Sequence, residues 1–413
     1  MKGIFTALIL MVLLAACKEG SIAPAKPATF VHYYNNGNAY SAVDVIETSD
    51  EGFLIVANSS PASGDGWIEM IKTDRYGNHL WTMPYKSKAS TLVASNVVAT
   101  QDNSGKDVGY VLVGSRQNAS IGSQLFVLRA GTTGTIKDSA TYNFKSSGFF
   151  IKGSGVAQST NATADFFVVG GIFNSDLVTH QVQDMFFAQI SGSNLDTVFT
   201  RKYGAGSTQL AGRLFLGSNQ QNAYWGGTRI DSYGTHMGLI NSGFVSKSSI
   251  FSITYPTGDL THSVLGNDFS VFGYSSYNFV GSQQPKSGGN YNAIVFARLD
   301  QGGNAIDSVR HLTLKNSQAA VPANSVCASG DGGVLILGTL AIDAQGTNTD
   351  YYLIKLDANG KEQWARTQGG KYLDTGVRVL QAADGGYVVL GTTTLANVNS
   401  VLLMKTDGVG NIE

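Results

Sequence analysis

The sequence predicts an all-β chain arranged as a closed ring of seven four-stranded antiparallel blades. Three observations carry that expectation. A unit of about 56 residues recurs seven times, judged from a small residue that closes one strand of each copy. Inside each unit, short strand-forming runs alternate with Asp/Gly turns, and no segment of helix length shows a 3.6-residue period. The last unit is one strand short, while an unassigned strand precedes the first. Together these describe a β-propeller.

Composition agrees. Of 413 residues, 50 are Gly and only 7 are Pro, with 18 Tyr and 20 Phe. Charged residues make up 14%, against roughly 25% in ordinary soluble domains. Aromatic and β-branched residues favour strands, and Gly with few charges favours tight turns. The formal net charge is −1, which removes any global electrostatic case for nucleic acid.

The register marks are Ala57, Gly114, Gly170, Gly226, Gly273, Gly338 and Gly391. Mostly apolar or aromatic residues precede each mark as a second strand, for example Phe53–Val56, Val334–Leu337 and Tyr387–Leu390, with Phe269–Phe272 taking that place in the fifth unit. A tight turn comes before the second strand, clearest at Asp50-Glu51-Gly52, Asp331-Gly332-Gly333 and Asp384-Gly385-Gly386. A polar loop and a third strand follow the mark. A second turn then reads Asp-x-x-Gly at Asp74, Asp300, Asp357 and Asp407. Asp at the first position and Gly at the fourth suit a type I turn running into a Gly bulge. Each such turn supplies one carboxylate, whereas a calcium loop needs several oxygens at alternating positions. These aspartates are therefore read as turn residues, and no metal or cofactor is predicted. A fourth strand completes each unit, as at His79–Tyr85 and Glu362–Gln368.

The ring closes through its ends. The copy ending at Glu413 has three strands, and Phe30–Tyr34 stands alone before the first copy. Pairing of Phe30–Tyr34 with Val401–Thr406 would complete the seventh blade and remove two sheet edges. Asp44 and Arg378 hold equivalent positions in the first strands of copies one and seven, so closure would bring them together near the channel. Trp81, Trp364 and Phe30 share an outer-strand position and are assigned to packing between blades.

The N-terminal segment lies outside the fold. Lys2 precedes an apolar run, Ile4–Leu14, too short to span a bilayer as a stable helix. It ends in Leu14-Ala15-Ala16-Cys17. This order resembles a bacterial lipobox, which implies cleavage after residue 16, acylation of Cys17 and membrane attachment through lipid. Residues 17–29 then form an Ala/Pro/Ser-rich tether, and 30–413 the propeller. Cys327 takes the place held by Ile46 and Leu380 in other copies and is read as a small buried hydrophobe. With Cys17 acylated, no disulfide is expected.

The lipobox, the DGGYVVLGT unit at 384–392 and the LIKLDANGKEQW unit at 353–364 resemble the propeller-repeat lipoproteins and secreted proteins of Bacteroidota. The resemblance implies a propeller and a cell-envelope address, in the outer membrane facing either side. That family is functionally mixed and shares no catalytic motif, so no site residue carries over.

No nucleophile elbow, zinc-binding helix motif, phosphate loop or cysteine pair occurs. The six histidines lack metal-ligand spacing. No catalytic residue is therefore assigned. The second-to-third-strand and blade-to-blade loops share one propeller face and are the long, variable ones, which makes that face the functional one. Three loops stand out there. Tyr274–Tyr291 carries Tyr274, Tyr277, Asn278, Phe279 and Tyr291. Phe173–Asp184 offers Asp176, His180 and Asp184, and Thr228–Met237 offers Arg229, Asp231, Tyr233 and His236. Aromatics among amides and hydroxyls suit protein or sugar recognition. The expected function is a binding scaffold presenting these loops to a protein partner or glycan, as an accessory part of an outer-membrane complex. The alternative is a propeller hydrolase or lyase acting on polysaccharide, which a pair of carboxylates in a concave pocket would favour.

Overall fold

A computed structural model of the chain describes residues 28–412, apart from 119–121, 144–150, 162–163, 175–182, 204–207, 217–221, 232–233, 244–249, 256–261, 273–275, 286–292, 301–305, 307–309, 314–322 and 344–345. Cys17 and the tether to residue 27 lie outside it. The described elements are all strands, in seven four-stranded antiparallel sheets. Six sheets are formed by consecutive strands, as in blade 1: Ala39–Glu47, Phe53–Ser60, Trp67–Thr73 and His79–Tyr85. The seventh takes its outer strand from the start of the chain. Phe30 pairs with Lys405 and Tyr34 with Val401, as the sequence predicts. The Tyr34 hydroxyl adds a 2.6 Å bond to the carbonyl of Gly77 in blade 1.

The core lies between blades. The second strand of blade 1 sends Phe53, Ile55 and Ala57 against blade 7, where Val388, Leu390, Val401 and Leu403 receive them. It sends Leu54 and Val56 against Leu92, Val97 and Leu112 of blade 2. Successive side chains point to opposite sheet faces, and here both faces are buried. That is why these strands read as unbroken apolar runs. Cys327 belongs to such a core, with Leu335, Leu337 and Val379, and burial pushes its thiol up to about 12.

The Asp-x-x-Gly turns at Asp74, Asp357 and Asp407 work as predicted, and the residues after Asp300 lie outside the described residues. Asp74 Oδ1 accepts the amides of Tyr76 and Asn78 at 2.8 Å, and Asp357 and Asp407 repeat the pattern. Their glycines do two jobs. Gly77, Gly360 and Gly410 have φ of 78°, 72° and 81°, a region that costs other residues about 1–2 kcal/mol. They also lie under the outer strand of the preceding blade. A Cβ on Gly410 would sit 2.7 Å from the Trp364 ring, and one on Gly77 2.6 Å from Phe30. Trp81 covers Gly134 of blade 2 in the same way. The outer-strand aromatics are therefore inter-blade packing.

A further repeated device joins the first turn to its blade in blades 1, 6 and 7. Lys72, Lys355 and Lys405, all buried, reach Asp50, Asp331 and Asp384 of the tight Asp/Gly turns. Lys72 and Lys355 also donate to the carbonyls of Thr73 and Leu356, both at 2.9 Å.

Three register marks are misplaced, two of them by one residue: in blades 3 and 4 the place of Ala57 is held by Gly171 and Gly227, which pair with Gly153 and Ala211, and not by Gly170 and Gly226. In blade 5, Phe269–Phe272 is part of the inner strand, His262–Phe272, and the second strand is Ser276–Pro285. The mark is Gly281, which pairs with Gly266 as Gly391 pairs with Gly376. Gly273 left one short interval between marks and one long one, and Gly281 evens them.

Candidate functional site

The seven inner strands surround the axis, and each has a register irregularity. A bulge turns the following side chain out of the regular alternation. In blades 1, 2, 5, 6 and 7 that residue is Asp44, Asn96, Asp268, Ser325 and Arg378; in blade 4 the irregular stretch contains Arg213.

These side chains stitch neighbouring blades together. Asp44 Oδ2 accepts the amide of Val97 at 3.2 Å, and Asn96 Oδ1 that of Val156 at 2.9 Å. Asp268 Oδ2 accepts Val326 N–H at 3.0 Å, and Ser325 Oγ accepts Val379 N–H at 3.3 Å. Each acceptor lies one blade before its donor. Arg378 breaks the series, because a guanidinium cannot accept. At that seam Asp44 Oδ1 accepts its neighbour Val45 N–H at 3.0 Å.

Charge balance closes the centre. Arg213 reaches across the axis from blade 4 to both oxygens of Asp44, at 2.9 and 3.0 Å. Asn96 donates to Asp44 at 2.5 Å. Arg378 lies 3.6 Å from Asp44 and 3.1 Å from Asp268, to which Ser325 also donates at 2.8 Å. The anticipated Asp44–Arg378 pair thus exists within a larger neutral group of two aspartates and two arginines. Beside it, a cavity of about 490 Å³ opens along the axis. Its lining includes Gln101, Asp102 and Gln158, from the later halves of the inner strands and a tight turn. It therefore opens on the face of the short turns.

On the opposite face, a second cavity of about 240 Å³ lies between blades 6 and 7. Its walls are the 369–373 loop and the Thr393–Leu395 strand end, and Tyr33 and Tyr372 stand at its rim. Also on this face, Glu69 is buried and fully engaged by Asn36 and Trp67 at 2.7 Å each and by the Tyr40 hydroxyl. Its carboxylate holds structure together and lines neither of these two cavities.

The sequence-nominated residues fare unevenly. Tyr277, Asn278 and Phe279 are not loop residues. They lie in the Ser276–Pro285 strand, are buried, and line neither cavity. Asn278 instead accepts from Arg298 Nε at 3.0 Å. The 228–237 segment is a hairpin of strands Asn222–Asp231 and Gly234–Gly243, with Arg229 paired to His236 and Asp231 to Gly234. The ends of the 173–184 segment are likewise strand, at Ala164–Asn174 and Gln183–Ser191. Asp176, His180, Tyr233, Tyr274 and Tyr291 lie outside the described residues. Among the described residues, no group of three or more His, Cys, Asp or Glu could hold a metal ion.

Arg213 and Asp268 were missed at the axis, as were Tyr33, Tyr372 and Asp374 at the rim. A signal existed for Asp268. Asp44, Asp268, Ser325 and Arg378 stand at the same offset from Ala57, Gly281, Gly338 and Gly391.

No protein-family model and no curated protein sequence matches this chain. Solved structures match its backbone course. An α-L-arabinanase of Penicillium chrysogenum aligns with a TM-score of 0.47 at 11% identity, covering 92% of this chain and 100% of that one. The β-propeller domain of the Trilobed protease from Pyrococcus furiosus gives 0.47 at 9%, covering 89% and 97%. A protein of unknown function from Dyadobacter fermentans gives 0.49 at 11%, covering 92% and 98%. These are similarities of backbone course, so chemistry has to be read from this chain's own residues.

Proposed function

We propose that this propeller is a binding module of the bacterial cell envelope, anchored in the outer membrane through lipid on Cys17 and presenting its long-loop face to a protein or glycan. One observation carries the choice of binding over catalysis. Among the described residues, the two carboxylates at the axis, Asp44 and Asp268, are engaged by arginines and amides, and Asp102 at the mouth of the axial cavity is held within its own turn by Ser104 and Lys106. Hydrolysis of a glycosidic bond ordinarily needs two carboxyl groups flanking it, one free to donate a proton and one to attack or activate water. At the rim cavity a single carboxylate, Asp374, lines the space, and the neighbouring Asp350 stands behind Gly369, outside the lining.

The address rests on the lipobox resemblance and on the tether ahead of Phe30. Cys17→Ala tests it: the variant should move from the membrane fraction to the soluble fraction, and continued membrane retention would contradict lipid anchoring. The binding reading is tested by presenting detergent-solubilised full chain to solubilised envelopes and to an array of oligosaccharides and polysaccharides. Saturable capture of a defined component supports it. Absence of binding together with release of reducing sugar from any arrayed glycan would support a hydrolase.

A further inference from the structure

The described part of the molecule leaves few large apolar side chains exposed, and four of them gather in one place. Tyr33 (52%), Tyr372 (52%), Leu373 (47%) and Leu395 (39%) all belong to the blade 6–7 boundary. Such grouping marks an interaction site more often than chance exposure does.

We propose that the cleft between blades 6 and 7 binds one ring of a neutral glycan. The inference rests on the binding reading above and gives that reading a ligand class and a place. Its floor is apolar, formed by Leu402 and Met404, and its rim carries two phenol rings. The C–H face of a sugar ring fits against aromatic faces, while its hydroxyls need polar partners. Those partners are present in the lining: the Gln368 amide, the Lys371 ammonium and the Asp374 carboxylate. Asp374 is 3% exposed, with one oxygen held by Gly370 N–H at 2.8 Å and its backbone N–H bonded to Thr349 Oγ1 at 3.0 Å. The loop is therefore fixed around the carboxylate before any ligand arrives, which lowers the ordering cost of binding. A volume of about 240 Å³ lies below the ~300–1,000 Å³ of pockets for drug-sized molecules, so it takes a single ring and leaves the rest of a chain outside.

Charge selects against acidic sugars. Asp350 sits behind Gly369, whose Cβ position would fall 2.0 Å from Asp350 Oδ1, and that oxygen is buried with no hydrogen-bond partner. Burial first, and the charge of Asp374 second, hold the Asp350 carboxyl above its ordinary value. An anionic sugar would add negative charge to this acidic corner, with Lys371 as the ammonium in the lining. A neutral polyol instead donates its hydroxyl hydrogens to Asp374 without that repulsion.

The probe is an array of neutral and acidic oligosaccharides, followed by calorimetric titration of the tightest neutral binder against detergent-solubilised full chain. Tyr372→Ala should weaken that binder at least tenfold with an unchanged melting curve, because the side chain is half exposed in a loop. Asp374→Asn should weaken it as well. Tyr76→Ala, an equally exposed tyrosine on the opposite face, should leave affinity unchanged. Wild-type affinity in Tyr372→Ala, or binding confined to acidic glycans, overturns the assignment. If no neutral glycan binds but a protein is captured saturably from envelopes, the cleft assignment falls and the binding reading stands. If both experiments are silent, both fall.

Discussion

Asp44→Ala probes the axial seal most severely. The side chain is 2% exposed and ties four blades together: it accepts from Val45 beside it, from Asn96 and Val97 of blade 2 and from Arg213 of blade 4, with Arg378 of blade 7 alongside. Breaking a buried ion pair from one side costs ~3–5 kcal/mol, because the remaining charge stays buried without its partner. Two amides, those of Val45 and Val97, also lose their acceptor, and an unsatisfied buried amide costs ~1–3 kcal/mol. Arg213 and Arg378 are 18% and 15% exposed and border the axial cavity, so water hydrates them in part. The net loss should therefore fall in the range of the ion pair alone, ~3–5 kcal/mol. Urea titration followed by intrinsic fluorescence measures it: the midpoint should fall with an unchanged slope. Asp44→Asn keeps an acceptor for Val97 and should lose less. A loss below ~1 kcal/mol for Asp44→Ala, the range of an exposed pair, would refute the reading of the cluster as a buried seal.

Three other expectations follow from the repeated devices. Gly385→Ala meets only its φ of 84°, with open space around it, whereas Gly410→Ala meets a φ of 81° and the Trp364 ring as well. Each should lose ~1–2 kcal/mol for the backbone, with the larger loss and a Trp emission shift at Gly410; equal losses would contradict the packing assignment. Burial raises the Asp331 carboxyl, but bonds from the Lys355 ammonium, the Gly333 amide and the Ser329 hydroxyl outweigh it and hold it below its ordinary value. A folded value below the unfolded one stabilises above about pH 4, and that stabilisation fades as pH falls through the folded value. The stability gap between wild type and Asp331→Asn should therefore narrow below about pH 4, and a gap constant with pH would count against the pair. Cys327, its thiol pushed up to about 12 by burial, should resist alkylation in the native protein at pH 8 and react once urea unfolds it; rapid native labelling would contradict its burial.

The architecture was legible because repetition averages out local ambiguity. The Asp/Gly turns, the second-strand runs and the lone Phe30–Tyr34 strand each pointed to one ring, and the closing pair falls in the register expected. The blade 5 assignment failed for a local reason. Phe269–Phe272 looks like a second strand because it is apolar and precedes Gly273, while the true second strand, Ser276–Pro285, carries Asn278, Ser282 and Gln283. Those polar residues resembled a loop, but they are buried: Asn278 accepts from Arg298, and Ser282 Oγ accepts from Ala323 N–H at 2.7 Å. The same slip hid Asp268 from its axial equivalents. The rim cleft was illegible for a different reason. Tyr33 and Tyr372 lie far apart in sequence and meet only because an N-terminal strand completes the last blade. Ring closure and the candidate site thus depend on the same strand.

The measurement that bears most directly on the functional account is the fate of a bound glycan. The tightest neutral binder from the array should be incubated with the wild-type chain at saturation and its length followed by chromatography. Saturable binding with the glycan recovered at full length is the predicted result. Shortened products that appear with wild type and vanish in Asp374→Asn would contradict a binding module and place catalysis in the cleft.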